Sequence, residues 1–466
     1  MGQIEMNFKQ PVMTVLVNLT ELNPPVNGGT WRVAQAVCQV LLAQPGIIPV
    51  FVVNGRFAPQ FPAWVGQEDV QVIPHPVGTD AAAYRTLQPD LIVSPLFGME
   101  PFHTLDVPHI AAVSDALVFD KPELFTPHQR HTRQARYAPF KQAQQLVTIS
   151  EYSRGRLAHH LKLDAAQIKV VPHGADFNGD PEIMTLPEPY IFYPANTWPH
   201  KRHDLLFQIM RHVWHEHPNL NLVLTGGRTS PDDIPALVHQ YDVPPARVHD
   251  LGYVSNGQLR TLYQNAALML FTSAYEGFGM PVLEAMQEGC PVVCGQIASL
   301  PEIAGDAALY PQADTPEAWA EAVLQAMQPA QREALLAAGR EQAARFTWAA
   351  AREQWAQIIH DNLPMTPAEK QATLESEIMR ITTEQRARIA QQAPTLADLK
   401  PSLLKTQLET IEALRRAENR WTRLPVVGGV FKLMLRVRNL GRMWKAQSAL
   451  YAALIAHLDE HPDKDK

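Results

Sequence analysis

Two glutamates stand eight residues apart in TSAYEGFGMPVLEAMQEGCPVVC, the segment that covers residues 272–294. Its pattern predicts a strand, a loop that contains glycine, and a helix with Pro281 at its first position, where proline is favoured. The free N–H groups of such a helix start suit a phosphate. Glu284, one turn into the helix, would repel a phosphate, so its chemical task is to accept two hydroxyls, as from a ribose. The alternative is that Glu276 and Glu284 are ordinary charges favoured by the helix dipole.

A second segment, NPPVNGGTW, places Gly28 and Gly29 at the start of the first predicted helix, directly after the first predicted strand. Glycines let the backbone approach a ligand closely. The same pair also fits a simple tight turn, and the residues alone leave both interpretations open.

Other nucleotide and metal chemistries find little support. The chain has no G-x-x-x-x-G-K-[ST] phosphate loop, and GFGMPV lacks the third glycine of a dinucleotide fingerprint. The only D-x-D sequence is Asp463-Lys464-Asp465 in the polar tail, so a site in which two aspartates hold a metal ion against a nucleotide is not indicated. We therefore predict no metal site and no cofactor.

Cysteines and histidines are interpreted as structural or solvated. Three cysteines are too few to stabilise a chain of this size through disulfide bonds, which favours a reducing compartment. We predict buried thiols at Cys38, Cys290 and Cys294. Four histidines lie on polar helical faces without ligand spacing and are predicted to face solvent: His128, His131, His159 and His160.

Short apolar strands alternate with helical patterns from the start of the chain, which indicates a parallel sheet buried on both faces. The pattern pauses in the Pro-, Gly- and Asp-rich segment 177–190 and then restarts, running to about residue 345. We therefore predict an α/β protein with two facing Rossmann-like doubly wound domains, 1–180 and 181–345. Open sheets of this kind bind ligands at the carboxyl ends of their strands, in the cleft between the domains. The strands predicted in the first domain are 14–20, 49–53, 90–96, 109–115, 144–150 and 168–172.

The last hundred residues, 364–466, have no strand pattern and are predicted to be a helical extension. Within them, residues 420–445 hold seven basic residues, no acidic residue, and interleaved aromatic and aliphatic side chains. A basic amphipathic segment of this kind suits a membrane surface, and it equally suits a helix packed on the enzyme body or on another subunit.

Composition bounds the remaining classes of function. At ~150 residues per domain, 466 residues correspond to about three units. The net charge of -7 gives no drive toward nucleic acid. The opening decapeptide lacks the apolar core of a signal peptide, and no apolar run reaches the ~18 residues of a spanning helix. We expect a cytoplasmic protein, with contact at the inner face of the membrane through residues 420–445; the sequence gives no indication of oligomeric state.

The motif set resembles the family 4 retaining glycosyltransferases, which have the GT-B fold. AYEGFGMPVLEAM with its E-x7-E spacing, GCPVV and SLPEIAGDAA resemble the donor-site signature of that family. The resemblance extends backward in order through ISEYSR, VPHGAD, NTWPHKRHDLL, LVLTGG and DLGYVSNGQLRTLYQNA, and it covers roughly residues 12–345. It implies an acceptor domain over 1–180, a donor domain over 181–345, and a helix near 346–363 that crosses back to the first domain.

The resemblance also implies roles for individual residues. Lys201 matches the lysine that contacts the donor diphosphate, Glu276 the carboxylate that contacts the transferred sugar, and Glu284 the one that binds ribose. A cation at the diphosphate stabilises the charge that grows on the leaving group. The backbone of Gly277, Phe278, Gly279 and Met280 would lie along the sugar and phosphates, and Gly28 and Gly29 match the glycine-rich loop of the family.

Two positions depart from the family pattern. Ser114 stands where the family often has histidine, although the following Asp115 is kept as a candidate catalytic residue. Asn196 stands where the family has an arginine, five residues before Lys201, and the neighbouring Arg202 is our candidate to compensate for that lost cation.

The expected function is therefore a metal-independent, retaining transfer of a hexose from a nucleoside diphosphate sugar to a hydroxyl of a glycan or lipid-linked acceptor. Mannose is the first candidate sugar, by analogy with mannosyltransferase-like members of the family. Two alternatives stay open. One is a nucleotide-sugar epimerase of the same fold. The other, supported by the departures at Ser114 and Asn196, is a non-catalytic nucleotide-sugar-binding protein of a polysaccharide assembly.

Overall fold

A computed structural model describes residues 13–22, 30–54, 57–67, 70–75, 81–175, 177, 179–228 and 233–364. The compact unit Met1–Pro364 contains two parallel sheets. The strands are β1 Met13–Leu19, β2 Ile47–Asn54, β3 Gln71–His75, β4 Leu91–Ser94, β5 His109–Ala112, β6 Gln145–Thr148, β7 Ile168–Val170, β8 Tyr190–Pro194, β9 Asn221–Thr225, β10 Val248–Asp250, β11 Leu268–Phe271, β12 Val292–Cys294 and β13 Ala308–Leu309.

Helices separate most of these strands. They are α1 Thr30–Ala43, α2 Phe61–Val65, α3 Leu117–Asp120, α4 Pro127–Ala135, α5 Glu151–Leu161, α6 His203–Glu216, α7 Asp233–Gln240, α8 Asn256–Asn265, α9 Met280–Gln287, α10 Leu300–Ala304, α11 Pro316–Ala326, α12 Pro329–Ala343 and α13 Trp348–Asn362.

The first sheet has the order β3-β2-β1-β4-β5-β6-β7, and all its strand pairs are parallel. Its interior strand β1 pairs with β2 on one side and β4 on the other, so the strand order reverses beside β1. Consecutive residues Val15, Leu16 and Val17 are fully buried, because helices cover both faces of the sheet. The reversal opens a crevice at the carboxyl ends of the central strands.

The second sheet repeats this topology with the order β10-β9-β8-β11-β12-β13. Its order reverses beside β8, so the loops after β8 and β11 meet at one edge. Those two loops carry Lys201 and Glu276. The predicted domain boundary at residue 180 lies between β7 and β8.

The closing helix α13 packs on the first domain. Trp348, Trp355 and Ile359 belong to the same buried cluster as the β1 core. The approach depends on Gly174 of the VPHGAD segment, because a Cβ there would lie 2.1 Å from the backbone nitrogen of Trp348. This glycine therefore lets α13 begin directly against the segment that joins the two sheets.

The predicted fold class, two facing doubly wound parallel-sheet domains, is confirmed. Sequence reasoning missed β3, an edge strand that contains Pro74 and breaks the apolar pattern. The three cysteines are free and buried, as predicted. Within the described ranges, none of the helices combines the length and the apolar character that a membrane span requires. Of the predicted extension 364–466, only residue 364 belongs to the described residues. The rest, with its segment 420–445, lies outside them.

Candidate functional site

A cavity of about 680 Å³ lies between the two domains, where the carboxyl ends of the two sets of strands face each other. Most of the predicted site residues line it, contributed by loops and helix starts from both halves of the chain. From the predicted set, these are Asp115, Asn196, Lys201, Glu276, Gly277, Phe278, Gly279, Met280 and Glu284.

Lys201 is fixed by the turn that follows β8. Its carbonyl oxygen accepts hydrogen bonds from the hydroxyl of Thr272, at 2.9 Å, and from the hydroxyl of Tyr193. Its ammonium lies 5.1 Å from the centroid of the Phe271 ring and forms an ion pair with Glu276. Both charged side chains are 12% exposed and both line the cavity, so the small exposed part of this pair faces the cavity.

Glu284 lies one turn into α9, which begins after Gly279 in the left-handed conformation, with φ 104°. Its two carboxylate oxygens have different partners. Oε1 lies 3.0 Å from the Arg32 guanidinium of α1, and Oε2 accepts a hydrogen bond of 3.1 Å from the Tyr263 hydroxyl. Burial raises the pKa of Glu284 above its ordinary value, although Arg32 and Tyr263 act in the opposite direction.

The loop between Glu276 and Gly279 is held by serines of the first domain. The carbonyl oxygen of Gly277 accepts hydrogen bonds from Ser150, at 2.6 Å, and Ser153, at 3.0 Å. A Cβ at Gly277 would lie 2.8 Å from the Ser114 carbonyl oxygen and 2.9 Å from Cβ of Asp115. Glycine at this position therefore allows the donor-domain loop to contact the end of β5.

Asp115 enters the cavity from the loop after β5. Its Oδ1 accepts a hydrogen bond of 2.8 Å from the Leu117 backbone, and burial raises the pKa of its carboxyl above the ordinary value. Ser114, where a histidine was expected, also lines the cavity. The Asp115 carboxylate can accept hydrogen bonds from an incoming polar ligand, and the Ser114 hydroxyl can donate or accept them.

Tyr275, next to Glu276, links the two domains behind the cavity. Its hydroxyl accepts a hydrogen bond from the Ala116 backbone, at 3.2 Å, and donates one of 3.0 Å to Asp120. The Asp120 carboxylate also accepts hydrogen bonds from the side chains of Arg156 and His160. Burial raises the pKa of Asp120, but these hydrogen bonds outweigh it and keep the pKa below its ordinary value.

The structure places one predicted residue, Arg202, differently from the residues that line the cavity. Arg202 does not line the cavity; it forms an ion pair of 2.8 Å with Asp314 on the far side of the turn. Its backbone is left-handed, with φ 57°, which turns its side chain away from that of Lys201. Asn196 lines the cavity, with its Oδ1 bound to the Gly227 N–H at 2.5 Å. Gly28 and Gly29 lie outside the described residues.

Several residues at the site were not predicted. Arg32 lies on a predicted helix without a recognised motif, and its contact with Glu284 joins residues 252 positions apart. His173 of the VPHGAD segment lines the cavity, stacked on Trp348, and burial lowers its pKa to about 4. The prediction that His160 is solvated is wrong, because its ring packs on Phe119 and binds Asp120. The other three histidines of that set are exposed, as predicted.

Charge determines what the cavity can hold. Among the described residues that line it, Arg32 and Lys201 are the permanent cations, and Asp115, Glu276 and Glu284 are the carboxyl groups. Both cations are already paired with carboxylates. The arrangement can therefore bind a ligand that carries anionic groups for the cations and hydroxyl donors for the carboxylates.

Comparison with known proteins finds a family match in the second domain. Residues 182–342 match the glycosyl transferases group 1. The chain is 28% identical over 253 residues to the O-antigen chain mannosyltransferase B of Escherichia coli, which covers 51% of this chain and 66% of that protein. It is 28% identical over 190 residues to the O-antigen chain mannosyltransferase RfbU of Salmonella typhimurium, which covers 39% and 51%. The matches thus span between about half and two thirds of these relatives.

Solved structures share the fold. HepE of Anabaena, in complex with UDP and glucose, aligns with a TM-score of 0.58 and 18% identity over 75% of this chain and 99% of that one. WaaG, a glycosyltransferase involved in lipopolysaccharide biosynthesis, aligns with a TM-score of 0.58 and 16% identity over 74% and 99%. The predicted resemblance to GT-B glycosyltransferases is confirmed by the match over residues 182–342 and by this shared fold.

Proposed function

We propose, from the premise that residues 182–342 form a group 1 glycosyl transferase domain in a GT-B fold, that this protein transfers a hexose from a nucleoside diphosphate sugar to an acceptor hydroxyl. The observation that carries the proposal is that Lys201, Glu276 and Glu284 line one cavity, although the chain separates Lys201 from Glu276 by 75 residues. A cation and two carboxylates in one hollow match the diphosphate, the sugar and the ribose of such a donor.

The donor sugar we assign is mannose, and the acceptor is a hydroxyl of a glycan or of a lipid-linked glycan. The support is that the two curated relatives above are named O-antigen chain mannosyltransferases. The nucleoside would bind the second domain through Glu284, and the acceptor would enter from the first domain beside Asp115.

In the proposed reaction the bond between the anomeric carbon and the diphosphate oxygen breaks, and a bond to the acceptor oxygen forms on the same face of the sugar. The proton of the acceptor hydroxyl passes to the departing phosphate oxygen, and the nucleoside diphosphate leaves. Lys201 neutralises the charge that grows on that phosphate, so the reaction we propose uses no metal ion or other cofactor. Closure of the two domains around the donor would keep water from the sugar, which would otherwise be hydrolysed.

Substitution of Lys201 tests this proposal. Lys201→Ala should lower the turnover of GDP-mannose with a glycan acceptor by roughly 10²–10³, the usual effect of losing one group that stabilises developing charge. The assay is release of GDP together with mass-spectrometric detection of the lengthened acceptor. Lys141→Ala, at an exposed lysine of the first domain, is the matched control and should retain full turnover.

Product analysis separates this proposal from its alternatives. Retention predicts an α-linked product from an α-linked donor, read from the anomeric NMR signal. An isomerised nucleotide sugar formed without acceptor would instead show an epimerase. Tight nucleotide binding without sugar release, across donors and acceptors, would show a non-catalytic binding protein.

A further inference from the structure

We propose that Arg32 is a donor-binding residue: the ribose of the donor displaces its guanidinium from Glu284, and the guanidinium then binds the diphosphate. This inference rests on the proposed function, because it assumes a nucleoside diphosphate in the cavity. It assigns the second diphosphate cation to the first domain, on the helix that opens the chain's first βα unit.

The need for a second cation follows from the placement of the other candidates. The predicted family arginine is the neutral Asn196, whose Oδ1 is bound to Gly227. Arg202, the predicted substitute, is paired with Asp314 and does not line the cavity. Among the described lining residues, only Arg32 remains beside Lys201 to face a diphosphate group.

Arg32 is built into the cavity rather than lying on its rim. Its side chain is 12% exposed, and its guanidinium lies 4.8 Å from the centroid of the Phe177 ring. One N–H group contacts Glu284 at 3.0 Å, and another contacts Asn256 at 3.3 Å. Glu284 and Asn256 belong to the second domain, and Phe177 packs against the core of that domain, so Arg32 reaches across to the side where the nucleoside would bind.

The exchange follows from the chemistry of Glu284. Tyr263 holds Oε2, so Oε1 is the oxygen that ribose hydroxyls can take, and Arg32 now occupies it. The Arg32 side chain is only 12% exposed, so its displaced guanidinium needs another anion, because an unpaired buried charge is costly. The α-phosphate is joined to the ribose by one methylene and one oxygen, so it arrives beside the displaced group. Guanidinium forks bind phosphate oxygens in pairs, which fixes the position of the leaving group.

The test compares ligands that differ only in phosphate charge. Calorimetry on the full chain would measure binding of guanosine, GMP and GDP, with the uridine series in parallel. Arg32→Gln should weaken GDP binding roughly 10- to 100-fold, as expected for a lost charge-assisted contact, and GMP binding by less. Guanosine binding should stay within about threefold of wild type or become tighter, since Oε1 of Glu284 is then free. Arg32→Lys should give intermediate GDP affinity.

Arg260→Gln is the matched control, because Arg260 forms a similar 3.0 Å pair with Glu288 at the end of α9 and does not line the cavity. It should leave all three affinities unchanged. If Arg32→Gln unfolds the protein, the double variant Arg32→Gln/Glu284→Gln is compared with Glu284→Gln instead. Neither of these two variants leaves an unpaired carboxylate at position 284.

Equal losses for guanosine and GDP would overturn the inference, because they would show that Arg32 only holds Glu284 in place. Unchanged GDP binding would overturn it as well. Failure of the wild-type protein to bind either series would instead contradict the proposed function itself, so the two failures are distinguishable.

Discussion

Glu284 illustrates how one residue combines burial with recognition. Its side chain is 9% exposed, and its carboxylate bonds to Arg32 and Tyr263 from two different elements. Burial favours the protonated form and raises its pKa, while both partners favour the carboxylate. Proton and ligand therefore compete for the same group, because a protonated carboxyl accepts fewer hydrogen bonds from hydroxyls.

Nucleoside binding should accordingly weaken as the pH falls toward and below the raised pKa of Glu284. The affinity for guanosine should drop by at most about tenfold per pH unit, the slope for one proton. Calorimetry from pH 8 to pH 5 measures it. Glu284→Gln should bind weakly at every pH without that slope, which separates Glu284 from Asp115, whose pKa burial also raises. A wild-type affinity that does not change with pH would rule out the carboxylate as the nucleoside acceptor.

At the scale of elements, the loop between β11 and α9 is the part that joins both domains at the site. Tyr275 bonds to Ala116 and Asp120, and Gly277 bonds to Ser150 and Ser153. Glu302 at the start of α10 adds a contact, since its carboxylate accepts the backbone N–H groups of Glu151, at 2.8 Å, and Tyr152, at 3.1 Å. A change in the position of this loop would move Glu276 relative to Asp115.

Gly277→Ala should therefore lower kcat/KM by roughly 10²-fold, because a misplacement of about 1 Å has such an effect on catalysis. The new methyl group would lie 2.8 Å from a backbone oxygen of the other domain, and that oxygen cannot move without shifting the end of β5. The control is Gly155→Ala in the interior of α5, where a Cβ meets nothing within 4 Å. It should keep full activity and raise the free energy of unfolding by about 0.5–1 kcal/mol. Unimpaired kcat/KM in Gly277→Ala would mean that the loop and β5 are not in close contact during turnover.

At the scale of the whole molecule, buried histidines make the fold sensitive to acid. Burial lowers the pKa of four of them well below 6.5: to about 3 for His109, and to about 4 for His173, His200 and His203. Between pH 6.5 and about 4 the unfolded chain binds protons at these rings and the folded chain does not. The free energy of unfolding decreases with decreasing pH wherever the unfolded state binds more protons than the folded state. Acid therefore destabilises the fold in this window.

Urea unfolding between pH 7 and pH 5 should show the free energy of unfolding falling with pH. Each buried ring contributes up to about 1.4 kcal/mol per pH unit. His203→Gln should reduce that slope by up to about 1.4 kcal/mol per pH unit, the contribution of one proton. His128→Gln, on the exposed side of α4, should leave the slope unchanged. The raised pKa values of Asp115 and Glu284 act in the opposite direction in all three proteins, so the difference between the variants isolates His203. Identical slopes for His203→Gln and wild type would show that this ring is not a buried neutral one.

The sequence by itself determined the alternation of strands and helices, since each depends on the period of apolar residues along a short stretch. It also determined which types of residue follow β8 and β11, and the motif order that placed Lys201, Glu276 and Glu284 in one predicted cleft. Those residues lie at element ends, where the topology of a parallel sheet brings loops to the same edge.

The tertiary structure decided the direction of individual side chains and the pairing of distant ones. Arg202 follows Lys201 directly, but a left-handed backbone directs it to Asp314. Arg32 shows no motif, yet it meets Glu284 across the domains. Such contacts depend on how two separately folded sheets dock, which involves backbone conformation and packing over hundreds of residues and leaves no periodic signal in the local sequence.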